Sequence, residues 1–278
     1  MTLPNLTLAD CLQPAWRVSP RVRALVTTRN GGVSAPPYGR WTQQGADEPG
    51  GLNLGLHTGD DLVAVEANRA RLLSLAGARA AWLEQVHGSD VVAAGDVIAA
   101  AASGAAPVRA DASATAMPGV ACIVMVADCM PVLLCDEAGR AVGAAHAGWR
   151  GLASGVVEKT AQRVADLAGA KLDELCAYLG PAIGPAAFEV GPDVRDAFMT
   201  QAHSSDCDAV VRAFADHPHT PGKYLADLAA LARVRLARLG ITRVAGGDLC
   251  TVADRERFYS YRRDRVTGRM AAMIWLAD

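Results

Sequence analysis

The sequence predicts a single α+β domain, and three observations favour that class. First, 278 residues of which 51% are hydrophobic suffice to build one sizeable core. Second, some strand-like runs follow one another in pairs suited to hairpins, whereas helical patterns lie apart from them, which is typical of α+β folds rather than strict β-α-β alternation. Third, no repeat, linker or composition shift marks a boundary, so one domain is expected over residues 1–278.

Eight apolar runs bounded by turn-forming residues predict strands. They span residues 24–28, 121–126, 132–134, 141–145, 176–179, 241–245, 257–261 and 270–276. Two hairpins are expected from these runs. In the first, residues 131–136 and 141–146 flank a four-residue turn. In the second, residues 257–262 and 270–276 flank a turn near Gly268.

Helices are predicted where apolar residues recur every three or four positions. Residues 152–167 show this spacing clearly. Residues 224–239 show it less cleanly, because three arginines interrupt the apolar stripe, and Gly240 stands where a C-terminal cap belongs. The alanine-rich segment 99–106 is expected to be a loop of low complexity.

Composition excludes several classes of function. A formal net charge of −2 gives no electrostatic reason to bind nucleic acid or an anionic membrane. No apolar stretch reaches the roughly 20 residues of a membrane span, and the N-terminus lacks a secretory signal. Seven cysteines, an odd number, suit reduced thiols better than a disulfide framework. A soluble, cytoplasmic protein is expected.

Two histidines and one cysteine form the candidate metal site. His87, Cys129 and His146 each stand beside turn-forming residues at the edge of an apolar run. Three such ligands are one short of a closed tetrahedral zinc site, which is the arrangement of a catalytic zinc with an open position.

The first hairpin gives a physical reason for two of these ligands to meet. If its turn is centred between Ala138 and Gly139, paired positions sum to 277, so Pro131 faces His146. Cys129 and His146 are then diagonal neighbours, about 7–8 Å apart at Cα. The same geometry suits Cys129 as a nucleophile with His146 as its base. A buried, purely structural pair is the remaining alternative.

Arg150 is a candidate anion-binding residue. It lies where a strand leads directly into the predicted helix, so free backbone N–H groups and a guanidinium would point the same way. The alternative is a tight connection with a solvent-facing arginine. Four other segments favour turns or surface loops when taken alone: residues 27–34, 51–57, 180–185 and 259–264.

Seven segments together closely resemble the YfiH-type laccase-domain family. They are TTRNGGVS at 27–34, NLG at 53–55, QVHG at 85–88, ADCMP at 127–131, HAGWRGL at 146–152, GPAIGP at 180–185 and YSYRRD at 259–264. The match runs from about residue 23 onward, with residues 1–22 as an N-terminal extension. The resemblance implies a layered αββα sandwich with mixed sheets and a zinc ion bound by His87, Cys129 and His146.

The family's activities imply a function for this chain. Its members are associated with phosphorolysis of adenosine, inosine and methylthioadenosine, and with deamination of adenosine. A zinc with an open position can supply hydroxide for attack at C6 of adenine. The expected partners are therefore a purine nucleoside and phosphate. The residues expected to bind them are Arg29, Asn53, His57, Arg150, Arg262 and Arg263, with Asp128 a candidate acid beside Cys129 and His146.

Three other functions remain open from the sequence. Members of the family are also described as polyphenol oxidases, yet this chain has only six histidines, too few for a four-copper laccase. Copper can nevertheless displace zinc, because it binds more tightly in the divalent series. Some members are linked to peptidoglycan editing, which a thiol hydrolase or amidase built on Cys129 and His146 would explain. A third possibility is a protein that binds nucleosides without turnover.

Overall fold

The computed structural model describes residues 5–277, in which seventeen strands and eight α-helices are present. The strands are β1 Cys11–Leu12, β2 Val22–Thr27, β3 Asn30–Ser34, β4 Arg40–Trp41, β5 Asp47–Glu48, β6 Arg79–Ala81, β7 Val91–Ala93, β8 Ala112–Thr115, β9 Val120–Val126, β10 Met130–Asp136, β11 Val142–Ala147, β12 Leu175–Leu179, β13 Glu189–Val190, β14 Phe214–Asp216, β15 Tyr224–Ala226, β16 Arg243–Gly246 and β17 Met270–Leu276. The α-helices are α1 Leu62–Ala76, α2 Ala94–Ala102, α3 Trp149–Ala153, α4 Val156–Ala168, α5 Pro192–Met199, α6 Cys207–Arg212, α7 Leu228–Arg238 and α8 Tyr261–Asp264.

Two large sheets pack face to face. One has the order β1-β2-β17-β9-β6 and the other β16-β12-β10-β11-β8-β7. Because successive side chains of a strand point to opposite faces, β9 contributes residues to two hydrophobic clusters, one on each face of its sheet. Its Cys122 and Val124 pack between the sheets, whereas Ile123 and Met125 pack in a cluster that includes Leu72 of α1.

The second sheet is covered on its other face by α4 and α7. Helices therefore lie outside both sheets, and the expected αββα sandwich in a single α+β domain is confirmed. Among the described residues, no helix is long and apolar enough to cross a membrane.

The first predicted hairpin is confirmed in its register. β10 and β11 are antiparallel, and Pro131 pairs with His146. The turn lies where the sequence places it, with Gly139 at φ 71°.

The second predicted hairpin is wrong. Strand β17 pairs with β2 and β9, and the residues before it form no strand. Residues Phe258 and Tyr259 are apolar because they are buried in a small core cluster of their own, not because they belong to a pleated strand. The Ser260 side chain then accepts a hydrogen bond from the backbone N–H of Arg263, which begins the short helix α8.

Other predictions need smaller corrections. The helix predicted over residues 152–167 is two helices, because Gly155 adopts φ 83° between α3 and α4. The one predicted over residues 224–239 is strand β15 followed by α7, which Asp227 caps. Residues 99–102 are the end of α2 rather than a loop, consistent with the high helix propensity of alanine. Part of segment 1–22 belongs to the first sheet, since Cys11 pairs with Thr27.

Candidate metal centre

The three candidate ligands meet at one end of the central hairpin. One ligand atom from each of His87, Cys129 and His146 lies within 4.8 Å of the other two. His146 is on β11, Cys129 immediately precedes β10, and His87 comes from the loop between β6 and β7. The rings of the two histidines are 4.8 Å apart and nearly perpendicular. Two soft or borderline donor types around one point are a typical zinc ligand set.

Two residues of the cluster region have left-handed backbone conformations. His87 has φ 60°, and Asp128, directly before Cys129, has φ 104°. Such conformations are unfavourable for residues other than glycine and persist only where surrounding contacts hold them. Here they turn the side chains of His87 and Cys129 toward a common point.

Asp111 holds the ligands in place. Its Oδ1 accepts hydrogen bonds from the backbone N–H of His87 at 2.9 Å and lies 2.8 Å from Nδ1 of His146. Its Oδ2 accepts from the backbone N–H groups of Val86 and Gly88 at 3.1 and 2.6 Å. Because Nδ1 of His146 is engaged by a carboxylate, Nε2 is left for a metal or for Cys129.

Charges within the cluster favour the ligand form of the thiol. Burial alone would raise the pKa of Cys129, but the charge of His146 and hydrogen bonds from His146 and His87 lower it to about 6. Burial of His146 is likewise outweighed by Cys129 and Asp111, which raise its pKa to about 9. Without a metal the result is a thiolate beside an imidazolium. The thiolate is the form of cysteine that binds metals, and His146 binds a metal only after Nε2 loses its proton.

A glycine is required beside the cluster. A Cβ atom added to Gly148 would lie 2.8 Å from Sγ of Cys129 and 3.4 Å from Cδ2 of His87. The Gly148→Ala variant should therefore displace a ligand and weaken zinc affinity by about 10-fold or more. Chelator competition would measure the affinity.

Gly95→Ala is the matched control for this prediction. The nearest atom to its added Cβ is Sδ of Met117, the end of a flexible side chain, at 3.1 Å. It should keep zinc affinity and add about 0.5–1 kcal/mol of stability, because alanine favours α2. Wild-type zinc affinity in Gly148→Ala would contradict the close approach.

A cavity of about 450 Å³ opens over the three ligands. Its walls are mostly apolar and aromatic, with Met125 contributed by the first sheet and Trp149, Phe188 and Leu228 by the helical side of the second. Cavities of this size bind small organic molecules. Three arginines line the same space, namely Arg150, Arg262 and Arg269.

The cavity includes four of the predicted site residues besides the ligands. They are His57, Asp128, Arg150 and Arg262. Asp128 is fully engaged, since Oδ1 accepts from the Thr251 hydroxyl and Oδ2 from the backbone N–H of Arg262, both at 2.6 Å. Because both oxygens are used as acceptors, this arrangement favours a group that positions Thr251 and the start of α8 over a general acid.

Three predicted substrate-binding residues do not line the cavity. Arg29 is buried and donates to the carbonyl of Gly39 at 2.7 and 3.0 Å. Asn53 is buried and holds Thr58, Asp60 and the backbone of Arg269. Arg263 donates to backbone carbonyls, including that of Thr251. Each stabilises a loop around the site, so direct substrate contact by these three is not supported.

Sequence reasoning missed three residues of the site. Asp111 carried no local signal, because the strand that follows it, Ala112–Thr115, is half serine and threonine and shows no apolar run. Gln85 belongs to the QVHG segment at 85–88. Its side-chain amide donates to the carbonyl of Met125 at 2.9 Å and accepts from the backbone N–H of Met125 at 2.7 Å. Arg269 carried no local signal.

Comparison with known proteins identifies the class. Residues 23–277 match the model of a family described as multi-copper polyphenol oxidoreductase laccase, and the chain belongs to that family. The resemblance to YfiH-type proteins is thereby confirmed, since curated relatives carry that name.

The relatives and neighbours span the whole fold. A purine nucleoside phosphorylase of Pseudomonas aeruginosa is 50% identical over 267 residues, covering 96% of this chain and 98% of its own. The purine nucleoside phosphorylase YfiH of Escherichia coli is 47% identical, with coverage of 97% and 100%. The crystal structure of a Neisseria meningitidis protein superposes with a TM-score of 0.84 at 45% identity, covering 97% of this chain and 100% of that one.

Proposed function

We propose that this chain is a zinc-dependent purine nucleoside phosphorylase that acts on adenosine, inosine and methylthioadenosine and also deaminates adenosine. The observation that carries the proposal is the His87–Cys129–His146 cluster at the base of a cavity with cationic groups on its walls. The names of the relatives from Pseudomonas aeruginosa and Escherichia coli support phosphorolysis. Deamination is what the resemblance to the YfiH-type family implies, and the metal follows from that resemblance together with the donor set.

The residues fit zinc by their chemistry. Cys129 favours the thiolate, and Asp111 leaves Nε2 of His146 for coordination. Three protein ligands with a cavity on the fourth side match a catalytic rather than a structural site. When bound, zinc supplies Lewis acidity to a water or phosphate oxygen at neutral pH.

The cavity's own residues would bind and orient the nucleoside. The apolar surfaces of Trp149, Phe188 and Leu228 offer a face on which a purine can pack. The side chain of Arg262 is held in place beside this apolar surface. Its Nη1 donates to the carbonyl of Glu189 at 3.2 Å, and its guanidinium lies 5.7 Å from the centre of the Phe188 ring.

Phosphorolysis needs a bound anion and a leaving base. A phosphate oxygen forms a bond to C1′ of the ribose, while the C1′–N9 bond breaks and its electron pair and a proton go to the base. The arginines that line the cavity would position the phosphate by charge and hydrogen bonds.

Product analysis tests the proposal. Zinc-loaded protein would be incubated with adenosine, with and without inorganic phosphate, and the products separated by chromatography. Adenine that forms only with phosphate establishes phosphorolysis, and inosine establishes deamination. Adenosine that returns unchanged under both conditions would overturn the proposal.

Arg150 should contribute at the mouth of the cavity. Its side chain is exposed and lies 4.4 Å from the ring of Trp149, with no carboxylate partner among residues 5–277. We expect Arg150→Ala to raise KM for phosphate about threefold while KM for the nucleoside stays nearly constant, since an exposed charge contributes modestly. The control Arg163→Ala, on the exposed face of α4, should change neither constant. Equal increases in both constants for Arg150→Ala would indicate a purely structural role.

A specific observation favours a second candidate function. Cys129, His146 and Asp111 form a thiolate–imidazolium–carboxylate chain, with 2.8 Å between His146 and Asp111. A thiol hydrolase or amidase acting on cell-wall fragments would use the same three groups. Alkylation discriminates between the two functions, because iodoacetamide modifies a free thiolate and not one bound to zinc. Cys129 that reacts rapidly in the zinc-loaded protein would favour the hydrolase.

A copper oxidase is less well supported by the residues. Six histidines are too few for several copper ions, and His217 and His219 lie in a turn far along the chain from the three-ligand cluster. Copper bound at His87, Cys129 and His146 in place of zinc would explain oxidase activity without making it the function.

A further inference from the structure

We infer that Arg269 forms the anion subsite of this cavity and binds inorganic phosphate. The inference rests on the proposed function and deepens it, because it places the co-substrate inside the cavity rather than at its mouth. Arg269 precedes β17 and lines the cavity together with Cys129 and Asp128.

The guanidinium of Arg269 is held rigidly from one side. Its backbone N–H donates to Oδ1 of Asn53 at 2.8 Å, and Nη1 donates to the carbonyls of Thr267 and Gly268 at 3.0 and 3.1 Å. A Cβ atom added to Gly55 would lie 2.8 Å from Cγ of Arg269, so the neighbouring loop packs directly on the stem. Nε and Nη2 have no hydrogen-bond partner within residues 5–277.

Two other arginines of this structure that are buried each form an ion pair with a carboxylate. Arg29 lies 3.5 Å from Asp47, and Arg235 lies 3.2 Å from Glu158. Arg269 is half-buried and forms no such ion pair among the described residues. Since burying a charge without a partner is costly, its charge is available for an anion that enters from solvent.

The negative groups nearest to Arg269 are already engaged by other partners. Burial lowers the pKa of Arg269 more than the charges of Cys129 and Asp128 raise it. Cys129 is held by His146 and His87, and neither Cys129 nor Asp128 accepts a hydrogen bond from the guanidinium within residues 5–277. The nearest carboxylate that lines the cavity is Asp128, and both of its oxygens already accept hydrogen bonds.

His57 lines the same cavity, and desolvation followed by the charges of Arg269 and Arg69 lowers its pKa. Two basic side chains, Arg269 and His57, therefore line this end of the cavity, and Arg69 lies outside its lining.

The chemistry of this end matches phosphate. A guanidinium donates two parallel hydrogen bonds to a phosphate, and with Nη1 anchored, the Nε and Nη2 edge is oriented before the ligand arrives. Arg150 differs, because it is exposed and its guanidinium has no backbone anchor within residues 5–277. We expect Arg269 to provide most of the phosphate affinity and Arg150 to add a smaller contribution.

Calorimetric titration with inorganic phosphate, at constant ionic strength and without nucleoside, tests the subsite. The zinc-loaded Arg269→Gln variant keeps the packing of Cβ and Cγ, and we expect its Kd for phosphate to be about 10-fold weaker or more. Arg265→Gln is the matched control, since Arg265 is a nearby exposed arginine that does not line the cavity. Its Kd should equal that of the wild type.

Each outcome supports or overturns the subsite. Weaker binding in Arg269→Gln alone supports it, whereas a wild type that does not bind phosphate, or equal binding in Arg269→Gln and wild type, overturns it. If Arg269→Gln does not fold, Arg269→Lys replaces it. Lysine keeps the charge but cannot donate two parallel hydrogen bonds, so this variant should bind phosphate several-fold more weakly than the wild type. Phosphate binding through Arg269 without release of a base would overturn the proposed function alone. Phosphorolysis with an unchanged KM for phosphate in Arg269→Gln would overturn the subsite alone.

Discussion

Replacing Cys129 with alanine should remove both bound zinc and activity. Cys129 is the one thiolate of the cluster, and its Sγ lies within 4.8 Å of the ligand atoms of both histidines. Without it only two imidazoles remain, which is fewer than a catalytic zinc site requires. We expect zinc content to fall from about one ion per chain to a small fraction, and kcat/KM to fall on the order of 100-fold or more. Metal analysis and steady-state kinetics measure these two quantities.

Cys207→Ala controls for the loss of a thiol. Cys207 is a half-buried free cysteine at the start of α6, outside the cavity. It should keep both zinc and activity. Activity retained by a zinc-free Cys129→Ala protein would contradict the metal proposal, and loss of activity with full zinc content would favour the nucleophilic role of Cys129.

The part of this site that was predictable from sequence is the part fixed by local geometry. The turn before Ala141 determines the register of β10 and β11, and that register alone brings Cys129 near His146. The sequence indicates His87 as a metal ligand only through its residue type. Its position depends on the Asp111 carboxylate, which binds a loop more than 20 residues earlier in the chain, and no local pattern encodes such a contact.

The failures have the same origin. An apolar run reports burial, and burial has several structural causes, so Phe258 and Tyr259 resembled a strand although they fill a small separate core. Arg29 and Arg263 stood in conspicuous segments and suggested substrate contact. In the structure their guanidinium groups donate to backbone carbonyls, an arrangement that a sequence cannot distinguish from ligand binding, and their contact with a substrate stays a prediction.

Replacing Asp111 with asparagine should weaken the metal site without removing a ligand. Hydrogen bonds from His146, Gly88 and Val86 lower the pKa of Asp111 against the effect of burial, so the ionised form is present at neutral pH. An amide in its place presents one acceptor oxygen and an NH2 group, and it cannot serve Nδ1 of His146 and three backbone N–H groups together. We expect zinc affinity to fall by about 10- to 100-fold, the range found for carboxylates that orient a ligating histidine.

Asp136→Asn separates this effect from loss of stability. Asp136 is also fully buried, lies at the turn end of the same hairpin, and accepts backbone N–H groups from Arg140 and Ala141 at 2.6 and 2.9 Å. Both variants should lose thermal stability, because each leaves buried donors without a charged acceptor. Only Asp111→Asn should lose zinc affinity in chelator competition. If both variants bind zinc as the wild type does, Asp111 stabilises the fold and does not orient His146 for the metal.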